Sequence, residues 1–105
     1  MTAINININS QTYMSLFVVP KMLERESKSA IINVSSVAHF TPKGMLAMYC
    51  ATKSYNYIFS KNLALNYPKK IDVMTVTPSG TKSQMYSGRY SFAVDANDHG
   101  KAVID

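Results

Sequence analysis

Ala30-Ile31-Ile32-Asn33-Val34-Ser35 is a short, nearly continuous apolar run rich in β-branched residues. Such runs suit strands buried on both faces, the condition of a parallel sheet covered by helices. A loop marked by Pro42 and Gly44 follows, then a helical pattern from about Leu46 to Tyr67 that Pro68 stops. Ile71-Asp72-Val73-Met74-Thr75-Val76 reads as a second strand, ended by Pro78-Ser79-Gly80. Two strands joined through so long a helix imply a parallel pair with a right-handed crossover.

Upstream, Ile4 to Asn9 alternates isoleucine and asparagine, which locally reads as a strand. The next residues disagree: Tyr13, Met14, Phe17, Val18 and Met22 recur at helical spacing. A helix is expected over roughly Asn7 to Glu26, with Pro20 bending or weakening it. The tail is polar and irregular until a short helix after Asn97. There is no internal repeat. The order helix, strand, helix, strand predicts an α/β fold, a partial doubly wound parallel sheet. Two strands do not make a stable sheet alone, so residues 1–105 read as one portion of a larger domain.

The bulk numbers agree: 105 residues, 47% hydrophobic and 16% charged, suit a small globular unit. The net charge of +5 invites nucleic acid or an acidic membrane surface as partners. The basic residues are spread out, however; only Lys69 and Lys70 are adjacent, and no zinc-ligand or RNA-binding signature accompanies them. A nucleic-acid partner is therefore not expected. Cys50 stands alone, which excludes an internal disulfide. His39 and His99 lack metal-ligand spacing, so no metal is expected. No signal peptide is read, since the first basic residue is Lys21, and Met14 to Val19 is too short to span a bilayer.

In open parallel sheets, ligands bind beyond the carboxyl ends of the strands. Here those ends are Ser35-Ser36 and Thr77-Pro78-Ser79-Gly80. The helix between them carries Tyr49-Cys50-Ala51-Thr52-Lys53, and residues four apart share a face. Ala51, Tyr55, Ile58, Phe59, Leu63 and Leu65 are expected to form that helix's apolar stripe, leaving Tyr49 and Lys53 off its centre. An unperturbed phenol is a poor proton donor at neutral pH, and a neighbouring ammonium stabilises its phenolate. Such a hydroxyl can exchange a proton with a carbonyl or alcohol oxygen, which a nearby serine can hold. A lone Tyr-x-x-x-Lys is weak, and a second one exists at Tyr57 and Lys61. Thirteen residues before Tyr57 lies Gly44, whereas thirteen before Tyr49 lies Ser36 at the expected strand end. Ser36, Tyr49 and Lys53 are the specific set.

Asn33-Val34-Ser35-Ser36, Tyr49-Cys50-Ala51-Thr52-Lys53 and a strand ending at Pro78 together resemble the short-chain dehydrogenases/reductases over nearly the whole chain. The resemblance implies a Rossmann-like fold and an oxidoreductase using NADP or NAD, with NADP favoured. It implies Tyr49 as general acid/base, Lys53 lowering its pKa and holding the nicotinamide ribose, and Ser36 binding the substrate oxygen. It also implies a relay asparagine early in the preceding helix. Asn7 fits best, with Asn5 and Asn9 as rivals. Pro78, Ser79, Gly80 and Ser83 would face the nicotinamide, with Ser79 departing from the family's Pro-Gly and Ser83 standing where a threonine is usual. Val19-Pro20-Lys21-Met22 with Ala30-Ile31-Ile32-Asn33-Val34-Ser35-Ser36 is similar to the hydroxysteroid dehydrogenase and very-long-chain 3-oxoacyl-CoA reductase branch. That branch implies a hydrophobic carbonyl or alcohol substrate and the endoplasmic reticulum, with the cytoplasm as alternative.

The family's glycine-rich diphosphate turn is not in this sequence: Gly44, Gly80, Gly88 and Gly100 lie too far apart to form it. The chain alone is therefore expected to be inactive, a piece missing the first βαβ half. The alternative is a non-catalytic remnant or an interaction module that pairs as a homodimer through the helix at Leu46 to Tyr67.

Overall fold

The computed structural model describes residues 2–41, 43–82 and 94–104. Helix α1 is continuous over residues 2–23 and changes pitch on the way. It opens as α-helix at Thr2–Ile4, widens to a π-helix at Asn5–Asn9 and returns to α-helix at Ser10–Leu23. The strand reading of the Ile-Asn alternation is thus overturned. Side chains make the π-segment sustainable by taking its carbonyls. Ser10 Oγ donates to the Ile6 carbonyl, Asn56 Nδ2 to that of Asn7, and Thr12 Oγ1 to that of Ile8 at 2.8 Å. Of the alternating asparagines, Asn7 bonds a neighbouring helix while Asn9 and Asn5 bond each other along their own. The helix also runs through Pro20 to Leu23.

Strand β1 (Ser29–Val34) and strand β2 (Ile71–Val76) pair in parallel, with Ser29 opposite Ile71 and Val34 opposite Val76. Helix α2 (Ala47–Asn66) connects them, as the apolar runs and Pro68 predict. Alternation places Ser29, Ile31 and Asn33 of β1, and Ile71, Val73 and Thr75 of β2, toward the helices. The core is small: Val19 of α1, Leu63 of α2 and Ile71 of β2, with Met22, Leu23, Ile31, Phe59, Tyr67 and Val73 packed around them.

Burial on both faces of the strands, expected from the continuous apolar runs, is only half met. Ile32, Val34 and Met74 are exposed on the second face, because α1 and α2 cover the first. A second, short parallel pair was not legible in the polar tail: β3 (Thr81–Lys82) with β4 (Val94–Asp95). Helix α3 (Ala96–Ile104) follows, and Val103 and Ile104 share a groove with Val34 and Val76 at the strand ends.

The buried face of α2 is not the expected apolar stripe. Ile58 and Leu65 are 56% and 77% exposed, whereas Thr52 and Ser60 are 0% exposed. Cys50, Thr52, Asn56, Ser60 and Leu63 are the buried positions. The reason is the partner: α1 presents Asn7 and Gln11 to this face, so polar contacts decide which side turns inward.

Candidate active site

The parallel ladder continues past the strands. Ser35 N–H donates to Val76 O at 2.8 Å and Val37 N–H to Pro78 O at 3.2 Å. These bonds hold the segment carrying Ser36 beside Pro78-Ser79-Gly80. Ser35 is buried and its hydroxyl donates to the Lys53 carbonyl at 2.7 Å, which ties the strand end to α2. An open cleft of about 560 Å³ results, lined by Ser36, Lys43, Leu46, Tyr49, Lys53 and the Pro78–Gly80 turn, among others. It lies at the carboxyl ends of both strands, where parallel sheets bind ligands.

Ser36 sits in extended backbone and caps a 3₁₀ turn, Val37–His39. Its Oγ accepts the Ala38 N–H at 3.2 Å. That bond uses a lone pair, so the hydroxyl proton stays available to an oxygen in the cleft. Lys53 Nζ lies 5.9 Å from the centre of the Tyr49 ring and donates to Val34 O at 3.2 Å. Burial lowers the pKa of Lys53 from its ordinary value, because the ammonium is partly desolvated. Two of its three N–H donors remain for other partners.

Asn7 stands outside this cleft, in an adjoining hollow that Lys53 also lines together with Asn33 and Asn56. Its amide donates to Thr52 Oγ1 at 3.0 Å. Of the three early asparagines, Asn7 is the one that meets α2; Asn9 donates to Asn5 at 2.9 Å on the exposed side. Lys53 and Val34 line both hollows, and Lys53 is the charged one of the two. The structure thus brings Ser36, Tyr49, Lys53, Pro78, Ser79 and Gly80 to one cleft and sets Asn7 beside it. Ser83 lies outside the described residues. Tyr57 and Lys61 face elsewhere: Tyr57 stacks on His39 with ring centres 4.1 Å apart.

Sequence reading missed the residues that hold Asn7. Thr52 and Asn56 bond Asn7 and Ser60 bonds Gln11; the three fall four apart on one face of α2, and that spacing was the available signal. It also missed Lys43 and Leu46, which only the loop's path brings to the cleft.

The donor set fits the nicotinamide-ribose end of a dinucleotide. Lys53 offers unused donors among the described residues, and Tyr49 and the Pro78–Gly80 turn share its cleft. The sequence holds no glycine-rich turn to cradle the diphosphate. Among the described residues no cluster of metal-ligating side chains occurs and no helix is long and apolar enough to cross a membrane.

Similarity to known proteins agrees with the geometry. The chain is 42% identical over 83 residues to a very-long-chain 3-oxoacyl-CoA reductase from Anas platyrhynchos, covering 78% of this chain and 26% of that protein. It is 41% identical over 85 residues to hydroxysteroid dehydrogenase-like protein 1 from Gallus gallus, covering 80% and 25%. The chain thus spans about a quarter of the length of these relatives. Its fold superposes on a short-chain dehydrogenase from Sphingobium yanoikuyae in complex with NADPH, with TM-score 0.86, 24% identity and coverage of 96% of this chain and 42% of that one. A serine dehydrogenase complexed with NADP+ gives TM-score 0.86 at 26% identity, covering 96% and 46%. The sequence pattern of the short chain dehydrogenases matches residues 1–92, and the chain belongs to that family.

Proposed function

We propose that this chain carries the carbonyl-reducing end of an NAD(P)(H)-dependent oxidoreductase acting on a hydrophobic ketone or alcohol. One observation carries the reading: Ser36, Tyr49 and Lys53 line a single cleft at the ends of two parallel strands. When bound, the nicotinamide cofactor supplies or accepts the hydride. Ser36 holds the substrate oxygen through its free hydroxyl proton. Tyr49 gives that oxygen a proton in reduction and takes it back in oxidation. Lys53 lowers the cost of the phenolate that forms, and its remaining donors suit ribose hydroxyls. Asn7, across Lys53 in the adjoining hollow, is the member of this set suited to hold a water through which the proton is exchanged with solvent.

Val37, Ala38 and Leu46 give the cleft an apolar wall, which supports a hydrophobic substrate. A 3-oxoacyl-CoA or a steroid is the class that the relatives' names support. NADP is preferred over NAD because the nicotinamide dinucleotides in the two solved neighbours above are NADPH and NADP+. An endoplasmic-reticulum location rests on the branch resemblance alone. Pairing of two copies through α2 is a second reading, supported by the exposed apolar Ala51, Tyr55, Ile58 and Phe59 hollow, and light scattering tests it.

Two tyrosine variants of the full polypeptide test the enzymatic reading. With NADPH and a 3-oxoacyl-CoA, Tyr49→Phe should lose on the order of 100- to 10,000-fold in kcat. Tyr57→Phe keeps its stacking ring and should stay near wild type. Equal losses in both variants overturn the assignment.

A further inference from the structure

Resting on that reading, we propose that His39 is a positioning residue, which fixes the Ser36 hydroxyl relative to Tyr49 by clamping the 3₁₀ turn onto α2.

The Ser36 carbonyl receives two donors from one residue. The His39 backbone N–H reaches it at 3.0 Å and the His39 Nδ1 at 2.5 Å. A carbonyl oxygen only accepts, so Nδ1 carries the proton. Nε2 is buried with no partner among the described residues. A proton on Nε2 would be a buried donor with nothing to receive it, so the geometry favours the Nδ1–H tautomer.

The same residue is fastened to α2 in two further ways. Its ring lies on Tyr57, 4.1 Å between centres and 17° between planes, with Phe40 3.7 Å away. Its carbonyl shares the Ser54 hydroxyl with the Cys50 carbonyl, at 3.1 and 3.0 Å. Tyr57 and Ser54 belong to the helix that carries Tyr49 and Lys53. His39 therefore links the turn of the serine to the helix of the tyrosine. It does not line the cleft of Ser36 and Tyr49; it lines the hollow beyond, with Cys50 and Ser54. This gives the Tyr57 ring a use: it is the platform for His39, with the Lys61 ammonium 5.6 Å from its centre.

Ser36 is the short hinge between strand and turn, and its Oγ goes where the turn goes. Errors of about 1 Å in such a group cost on the order of 100-fold in rate, so a clamp remote from the reacting atoms has a kinetic effect.

The test uses the full polypeptide. His39→Phe keeps a ring for Tyr57 and removes the Nδ1 donor. His39→Asn keeps a short donor and removes the ring. The expected result is a kcat about tenfold lower in His39→Phe, with the cofactor KM within about twofold, and at least partial recovery in His39→Asn. Nitrogen NMR of the wild type should report the Nδ1–H form, and exchange of the His39 amide should quicken in His39→Phe. An Nε2–H form in the wild type, or an unchanged kcat in His39→Phe, overturns the role of His39. A wild-type polypeptide that reduces no carbonyl overturns the proposed function, while the tautomer and exchange data still decide whether His39 holds the Ser36 turn.

Discussion

Ser60→Ala should destabilise the protein, although serine to alanine in a helix ordinarily does the reverse. Ser60 is fully buried on α2, and its Oγ accepts from Asn33 Nδ2 at 2.8 Å and from Gln11 Nε2 at 3.2 Å, while donating to Asn56 O at 2.7 Å. One hydroxyl thus joins β1, α1 and α2. Its loss leaves two amide donors without an acceptor, each costing about 1–3 kcal/mol when buried. Gln11 and Asn33 are only half-buried, so water relieves part of this and about 1 kcal/mol each is the better figure. The alanine returns about 0.5 kcal/mol of helix propensity. The net loss is about 1.5 kcal/mol, read by urea unfolding of the full polypeptide at neutral pH. Ser60→Ala combined with Asn33→Val removes one stranded donor and should recover about 1 kcal/mol relative to additivity. A Ser60→Ala variant as stable as wild type, or more so, would show that the polar seam between α1 and α2 carries no stability.

Two further outcomes follow from other parts of the chain. Burial depresses the Lys53 pKa, so at alkaline pH below the ordinary lysine value the unfolded chain holds a proton the folded chain has released. Wild-type stability relative to Lys53→Met should therefore rise as pH increases through that window, and a difference independent of pH refutes the buried placement of the ammonium. Met45 adopts a positive φ of 62° with its side chain exposed, a conformation costing a non-glycine residue roughly 1–2 kcal/mol. Met45→Gly should stabilise by about 0.5–1 kcal/mol after the glycine's extra unfolded freedom is counted, and destabilisation in urea refutes the strained turn.

Strand β2 was legible residue for residue because β-branched residues end abruptly at prolines, a signal contained in neighbouring positions. The spacing of Ser36, Tyr49 and Lys53 was legible for the same reason: a strand end and a helix start fix where each side chain stands. Local sequence did not contain the inward face of α2. Thr52, Asn56 and Ser60 turn in because Asn7 and Gln11 of α1 meet them, and hydropathy cannot register a hydrogen bond to a residue 45 or more positions away. Nor did it contain the extension of helix α1 ahead of Asn7, where the alternation favours a strand until the hydroxyls of Ser10 and Thr12 and the amide of Asn56 claim the carbonyls of Ile6, Ile8 and Asn7. The sequence by itself determined which chemical groups this protein owns and how far apart along the chain they lie. Tertiary structure alone decided that Lys53 stands between the hollow of Asn7 and the cleft of Tyr49, because only packing α1 and α2 on the same face of the sheet brings those hollows together.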